Sequence, residues 1–235
     1  MLSNYKKDKI YLHEWWEIEV SYHPTKTGRI IINIPGADGS SEGYMNKYIN
    51  LGNLIQTNNT ASFVRIPNER PQEFLLTART VINYCLENSK KICGSEKPEI
   101  WLMGFSAGGA SALLSAWEYP EITKVLVINP FLNLDELRKS VGEYLPLYKG
   151  ELFVVIGSED SVTAPDMLEY IKRYSDPTSS FSSHIIQNCG HQLRGEDNSK
   201  ILSQLPEYYF LGRYRSEEFP IAKDGVFLLE NGPKL

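Results

Sequence analysis

Three residue types that together perform nucleophilic catalysis each follow a predicted strand in this sequence. Ser106 lies in the turn GFSAG (104–108), Asp160 follows the run ELFVVIG, and His191 follows the run FSSHIIQ. A serine hydroxyl is a weak nucleophile until a base takes its proton, and a histidine base needs a carboxylate to orient its ring. We therefore expect Ser106 to attack an acyl carbon, His191 to carry the proton and Asp160 to hold the imidazole.

The GFSAG turn is the strongest of these signals because of the elements around it. The strand EIWLMG (99–104) is predicted to enter the turn, and the helix AGGASALLSAWEY (107–119) to leave it. In such a tight strand-to-helix turn the chain nearly touches itself, so positions two residues from the serine must be small. The N–H of Ala107, at the helix N-terminus, then becomes a candidate oxyanion donor. The alternative is a glycine-rich packing turn whose serine only caps the helix.

Other residues compete for the roles of base, acid and nucleophile. His184 lies inside a predicted strand, which makes it a poorer base than His191. Glu159 adjoins Asp160, and Asp135 follows the sixth predicted strand, so both are alternative acids. Cys189 precedes His191 by two residues and permits a Cys-His interpretation, but a nucleophile normally lies on its own turn.

Strand-like and helix-like runs alternate along the chain. The continuous apolar run RIIINI (29–34) is typical of a strand buried on both faces. The run 10–23 alternates like a single edge strand, with Trp15 and Trp16 packing on the sheet. The alternation predicts a three-layer α/β/α sandwich with a mostly parallel sheet of about eight strands. Sites in such sheets form beyond the carboxyl ends of the strands, where the three candidate residues lie.

No linker divides the chain, so we predict a single domain over residues 1–235. Residues 212–235 form an extension, in which two apolar runs around Asp224-Gly225 predict a hairpin over 219–230. Between the sixth and seventh strands, residues 130–150 have room for one or two short helices. We therefore expect a minimal cap or none, and a fairly open site.

Composition excludes several classes of function. The chain has 235 residues, 42% apolar and 23% charged, with a net charge of −5, which is typical of a soluble globular protein. It has no basic run or zinc-finger spacing, so no nucleic-acid partner is expected. Its four histidines lack metal-site spacing, and no metal or cofactor is predicted.

Two further features bear on the compartment. The uncharged stretch from Ile100 to Trp117 is as long as a membrane span, but its glycines and serines and its lack of flanking positive charges favour strand, turn and helix. No secretory signal is expected at the N-terminus, and three cysteines without a CxxC motif indicate free thiols. We expect a cytoplasmic protein without a membrane partner.

Four segments make the chain resemble the α/β-hydrolase family from about residue 29 to residue 211. They are IPGADGS (34–40), GFSAGG (104–109), GSEDSVT (157–163) and the dipeptide GH at 190–191. The resemblance is to small serine esterases and thioesterases without a large lid. It implies the triad Ser106, Asp160 and His191.

The resemblance also implies an oxyanion hole, formed by the backbone N–H groups of Ala37 and Ala107. Many members carry His-Gly where this chain has Pro35-Gly36. Asp38, in the same loop, is therefore a further candidate for the pocket. Phe105 and Phe131 adjoin strand ends and are candidates for the acyl pocket, with core packing as the alternative.

The expected activity is hydrolysis of a carboxylic ester or thioester through an acyl-enzyme, without a cofactor. The substrate would be a small molecule or an acyl group on a carrier, and the sequence leaves a homodimer open. Two alternatives remain. The same site can serve an acyltransferase, cyclase or isomerase, or the chain can be a non-catalytic binding protein on the same fold.

Overall fold

The computed structural model describes residues 5–213, which form one eight-stranded sheet with helices on both faces. The strand order is β1-β2-β4-β3-β5-β6-β7-β8. The six strands from β3 to β8 run parallel, and β1 and β2 form an antiparallel edge. The predicted mostly parallel sheet of about eight strands is confirmed. The strands are β1 Lys6–His13, β2 Trp16–His23, β3 Arg29–Ile34, β4 Ser62–Arg65, β5 Glu99–Phe105, β6 Ile122–Ile128, β7 Glu151–Gly157 and β8 Phe181–Ile186.

The helices cover the sheet as two layers with separate apolar cores. Helices α1 and α7 pack on one face, and α2 to α6 contribute to the core of the other. Successive residues of the central strands β3 to β7 alternate between the two cores, so both faces of these strands must be largely apolar. The helices are α1 Lys47–Thr57, α2 Phe74–Glu87, α3 Ser89–Cys93, α4 Ala107–Ser115, α5 Asp135–Tyr144, α6 Met167–Tyr174 and α7 Glu196–Phe210.

The prediction of one strand over residues 10–23 is wrong, because two strands form a hairpin there. Strands β1 and β2 pair antiparallel around a turn at Glu14-Trp15, with His13 opposite Trp16. The turn lacks the Asn-Gly or Asp-Gly signal of common two-residue hairpins, and the alternation of side chains continues through it. Trp16 is buried, but Trp15 is 73% exposed at the turn and stacks on His13 instead of on the sheet.

The segment between β6 and β7 forms part of the helical layer instead of a cap. Helix α5 packs between α4 and α6, and its Val141 belongs to the apolar core. A single short 3-10 turn, Leu145–Leu147, follows it. The predicted hairpin over 219–230 lies outside the described residues. Within residues 5–213, no helix has both the length and the apolar character needed to cross a membrane.

Candidate active site

Ser106 occupies a strained turn between β5 and α4 that only small neighbours permit. Its backbone has a positive φ of 54° with ψ −119°, a combination that residues with a side chain rarely adopt. A Cβ added at Gly104 would lie 2.4 Å from the carbonyl oxygen of Gly108, and one at Gly108 would lie 2.1 Å from that of Ile34. Both distances are far below van der Waals contact. The glycine spacing is therefore required by the close approach of α4 to β5 and β3.

A continuous chain of hydrogen bonds joins the three residues that the sequence singled out. His191 Nδ1 lies 2.9 Å from Asp160 Oδ2 and 3.0 Å from Asp160 Oδ1. His191 Nε2 lies 2.9 Å from Ser106 Oγ. Because a carboxylate only accepts, Nδ1 carries the proton of the neutral imidazole and Nε2 accepts from the serine hydroxyl. Ser106 makes no helix-capping hydrogen bond through its side chain, so the capping interpretation does not describe this serine.

The carboxylate of Asp160 is held by its own loop as well as by His191. Oδ1 accepts from the backbone N–H groups of Val162, at 2.8 Å, and Thr163, at 3.0 Å. Oδ2 accepts from Thr163 Oγ1 at 2.7 Å. Burial by itself raises the pKa of Asp160, but the hydrogen bonds from Thr163, His191 and Val162 outweigh burial and leave that pKa below its usual value. Asp160 is therefore ionised at neutral pH.

The loop after β3 approaches the serine from the other side. A Cβ added at Gly36 would lie 3.0 Å from Ser106 Cβ, which brings the following residue, Ala37, beside the site. Gly39 N–H donates to Gly36 O, and Asp38 is exposed and left-handed in this turn. Asn68 fastens the loop by donating from Nδ2 to Pro35 O at 3.0 Å. Ala107 begins α4, where N–H groups have no partner within the helix.

Solved structures with the same architecture are numerous. The esterase Est1E from Butyrivibrio proteoclasticus aligns with a TM-score of 0.69 at 13% identity, over 89% of this chain and 99% of that one. A dienelactone hydrolase from Anabaena variabilis aligns with a TM-score of 0.67 at 17% identity, over 88% of this chain and 98% of that one. The protein has the α/β-hydrolase fold.

An esterase domain from Rhodothermus marinus shares this α/β-hydrolase fold, with a TM-score of 0.67 at 14% identity over 88% of this chain and 97% of that one. No family model and no curated protein matches the sequence. At these identities the likeness establishes the fold alone. The chemistry of the site must be inferred from this chain's own residues.

Of the two aromatic residues predicted to line the pocket, Phe105 contacts the histidine through its ring and Phe131 contacts the serine turn through its backbone. The ring of Phe105 meets that of His191 edge to face, with 6.0 Å between their centres. Phe131 is tied to the turn through its N–H, which donates to Ser106 O at 3.0 Å. Phe105 is buried and Phe131 is half-buried, so Phe105 also packs in the core of the α1 and α7 face.

The residues that competed for catalytic roles lie in other surroundings. His184 is held within β8 by a hydrogen bond between Nδ1 and the hydroxyl of Tyr209. Asp135 and Glu159 are both exposed, and Asp135 begins α5. Cys189 is fully buried, and burial, with smaller effects from the charges of Asp160 and Glu159, raises the pKa of its thiol to about 11. A thiol in that state is a poor nucleophile at neutral pH.

Asn129 connects the acid loop with the histidine loop, and the sequence analysis missed it. The residue is fully buried at the end of β6 with φ 46°, a left-handed conformation that Asn tolerates better than most residues. Its Nδ2 donates to His191 O at 2.8 Å, and its Oδ1 accepts from Gly157 N–H at 2.8 Å. Asn129 could have been found from its position directly after a predicted strand, since the same criterion located Asp160 and His191.

Thr163 is the second missed residue. It lies in the GSEDSVT segment that carries the resemblance, three positions after the aspartate, where a hydroxyl can fold back on a carboxylate. Its two hydrogen bonds orient the carboxylate that faces His191. Within residues 5–213, no group of three or more His, Cys, Asp or Glu side chains is placed to hold a metal ion.

Proposed function

We propose that the protein is a serine hydrolase that cleaves a carboxylic ester or thioester through an acyl-enzyme. The observation that supports this most directly is the unbroken hydrogen-bonded chain from Ser106 through His191 to Asp160. A buried carboxylate, a histidine and a strained serine rarely meet at these distances for structural reasons alone. The three residues lie in three separate turns, which follow β5, β7 and β8.

The reaction follows from the positions of the atoms. Ser106 Oγ attacks the acyl carbon while His191 Nε2 takes its proton, and Asp160 stabilises the imidazolium that forms. The N–H groups of Ala37 and Ala107 stabilise the negative charge on the acyl oxygen. His191 then gives its proton to the leaving group as the bond from the acyl carbon to the leaving group breaks. A water, deprotonated by His191, then attacks the acyl carbon. The bond from that carbon to Ser106 Oγ breaks, His191 returns the proton to Oγ, and the acid leaves.

The position of α5 narrows the range of substrates that we propose. With α5 packed in the helical layer, no helix between β6 and β7 covers the site, which favours a small ester, a thioester or an acyl group on a carrier. The names of the structural neighbours, two esterases and a dienelactone hydrolase, are in keeping with hydrolysis at a carbonyl.

A fluorophosphonate probe tests the proposal directly, because it labels only serines with an activated hydroxyl. We expect mass spectrometry to find the label on the peptide that carries Ser106. His191→Ala should lose the label, and Ser106→Ala should lose both label and turnover of short-chain esters and thioesters. Ser111→Ala is a matched control, since Ser111 lies in α4 and donates only to backbone carbonyls.

The products separate hydrolysis from the alternatives. Free acid as the sole acyl product supports hydrolysis, whereas a transferred or cyclised acyl group would indicate an acyltransferase or cyclase. Labelling that persists in the His191→Ala variant would contradict the triad. A wild-type protein that takes no label and turns over no ester would favour a non-catalytic binding protein.

A further inference from the structure

A lysine without an anionic partner lies beside the proposed active site. Lys47 is the first residue of α1, directly after the loop that carries Ala37. Its Nζ lies 4.8 Å from the centre of the Phe105 ring and 4.9 Å from that of Tyr48. The Phe105 ring in turn meets the imidazole of His191. One aromatic ring therefore separates this ammonium from the histidine.

The charge of Lys47 is poorly compensated. Within residues 5–213 its ammonium forms no ion pair and no side-chain hydrogen bond, and the first turn of α1 holds no acidic residue. The side chain is half-buried, and burial lowers the pKa of the amino group. A cation withdrawn from water needs a counter-charge, and the faces of two aromatic rings supply only part of it.

Two other lysines that lie over aromatic rings, Lys124 over Trp101 and Lys91 over Tyr22, show the contrast. Lys124 is the least exposed of the paired lysines, and its Nζ lies 3.0 Å from Glu151 and donates to Phe210 O at 2.7 Å. Lys91, which also lies over a tyrosine ring, pairs with Asp8. Lys47 has the aromatic contacts but no carboxylate, so an anion from a ligand could pair with its ammonium.

We propose that Lys47 binds an anionic group, a carboxylate in the simplest case, on the leaving-group part of the substrate. This inference rests on the proposed function. It assigns the anion to the leaving group because Phe105 connects Lys47 to His191, the residue that protonates the departing oxygen or sulfur. Lys47 keeps its proton throughout and takes no part in bond making. It is a specificity residue.

Two acetate esters that differ at one ring substituent, an anionic carboxylate in one and a neutral carboxamide in the other, test the inference. 4-Acetoxybenzoate releases an anionic phenol and 4-acetoxybenzamide a neutral one, with the same acyl group and ring. The quantity measured is selectivity, the ratio of kcat/KM for the anionic ester to that for the neutral ester. We expect Lys47→Met to lower this ratio about tenfold, as for loss of a hydrogen bond to a charged group.

Two control variants separate charge from packing. Lys47→Arg keeps a cation that can lie on aromatic rings, so it should retain most of the selectivity. Lys90→Met removes an exposed lysine from α3, which precedes the amino end of β5, and should leave the ratio unchanged. A Lys47→Met variant that lowers both kcat/KM values equally, or that keeps the wild-type ratio, would overturn the inference.

A binding measurement keeps this inference separate from the proposed function. Calorimetry with 4-hydroxybenzoate, and with 4-hydroxybenzamide as its neutral match, needs no turnover. We expect the wild type to prefer the acid and Lys47→Met to lose that preference about tenfold. Lack of preference in the wild type would reject the anion site even if both esters are cleaved. Preference for the acid without any turnover would reject hydrolysis and keep the anion site.

Discussion

Replacing Asn129 by alanine tests whether one buried amide holds two catalytic loops together. The side chain is fully buried and makes two short hydrogen bonds, to His191 O and from Gly157 N–H, each 2.8 Å long, besides a longer one of 3.5 Å to Gly190 O. Asn129→Ala leaves both backbone groups without their partner. It also places an alanine at φ 46°, which alanine adopts less readily than asparagine.

The magnitude follows from these contacts. Each backbone group left unpaired and buried costs about 1–3 kcal/mol, and the left-handed alanine adds about 1 kcal/mol. We expect Asn129→Ala to lower the free energy of unfolding by about 3–7 kcal/mol, a large part of the stability of an ordinary domain. Fluorophosphonate labelling of Ser106 should also slow, because the loop of His191 loses its tie to β6.

The assays are urea unfolding followed by circular dichroism, and the labelling rate measured well below the unfolding transition. Asn129→Gly keeps the left-handed conformation accessible, so its loss of stability isolates the contribution of the two hydrogen bonds. If Asn129→Gly and Asn129→Ala both unfold within about 1 kcal/mol of the wild type, the amide does not support the loops and the reasoning is refuted.

Three further predictions concern the acid and the thiol. Asp160→Asn should reduce the labelling rate of Ser106 severely, whereas Asp135→Asn, at an exposed helix start, should leave it nearly intact; the reverse would move the acid to the segment after β6. Because hydrogen bonds hold the pKa of Asp160 below its usual value, its ionised form stabilises the fold above about pH 4, and this contribution is lost as the pH falls further. The difference in unfolding free energy between wild type and Asp160→Asn should therefore shrink from pH 5 to pH 3, and a constant difference would contradict this. Because burial raises the pKa of Cys189 to about 11, iodoacetamide at pH 8 should modify it far more slowly in the native protein than in urea; equal rates would show that the thiol is accessible.

Much of the fold could be predicted because its signals are local. The run RIIINI is isoleucine at every position but two and forms β3 with the predicted bounds. The run ELFVVIG forms β7 in the same way. Such strands are buried on both faces, so their residues are mostly apolar. This pattern can be recognised without knowing which strands lie beside them. The hairpin of β1 and β2 was missed because its turn, Glu14-Trp15, has no glycine or asparagine to mark it.

The positions of Ser106, Asp160 and His191 were also accessible from the sequence. Parallel strands place the residues that follow them at one edge of the sheet, so three such residues are brought near one another by topology alone. The glycines around Ser106 are needed because the backbone segments approach closely: a Cβ added at Gly108 would lie only 2.1 Å from Ile34 O. Such a close approach requires glycine at fixed distances from the serine, so it is visible in the sequence.

The sequence by itself thus determined the parallel strands of the sheet, the nucleophilic turn and the order of the candidate triad. Only the tertiary structure decided which carboxylate faces His191, that Asn129 joins two loops, and that Lys47 lies over Phe105 without an anion. These contacts join residues from distant parts of the chain, and the side chains involved are ordinary polar types that occur throughout the sequence. Their roles arise from where the backbone brings them, because hydrogen bonds and charges act over a few ångströms of space and not over positions in the sequence.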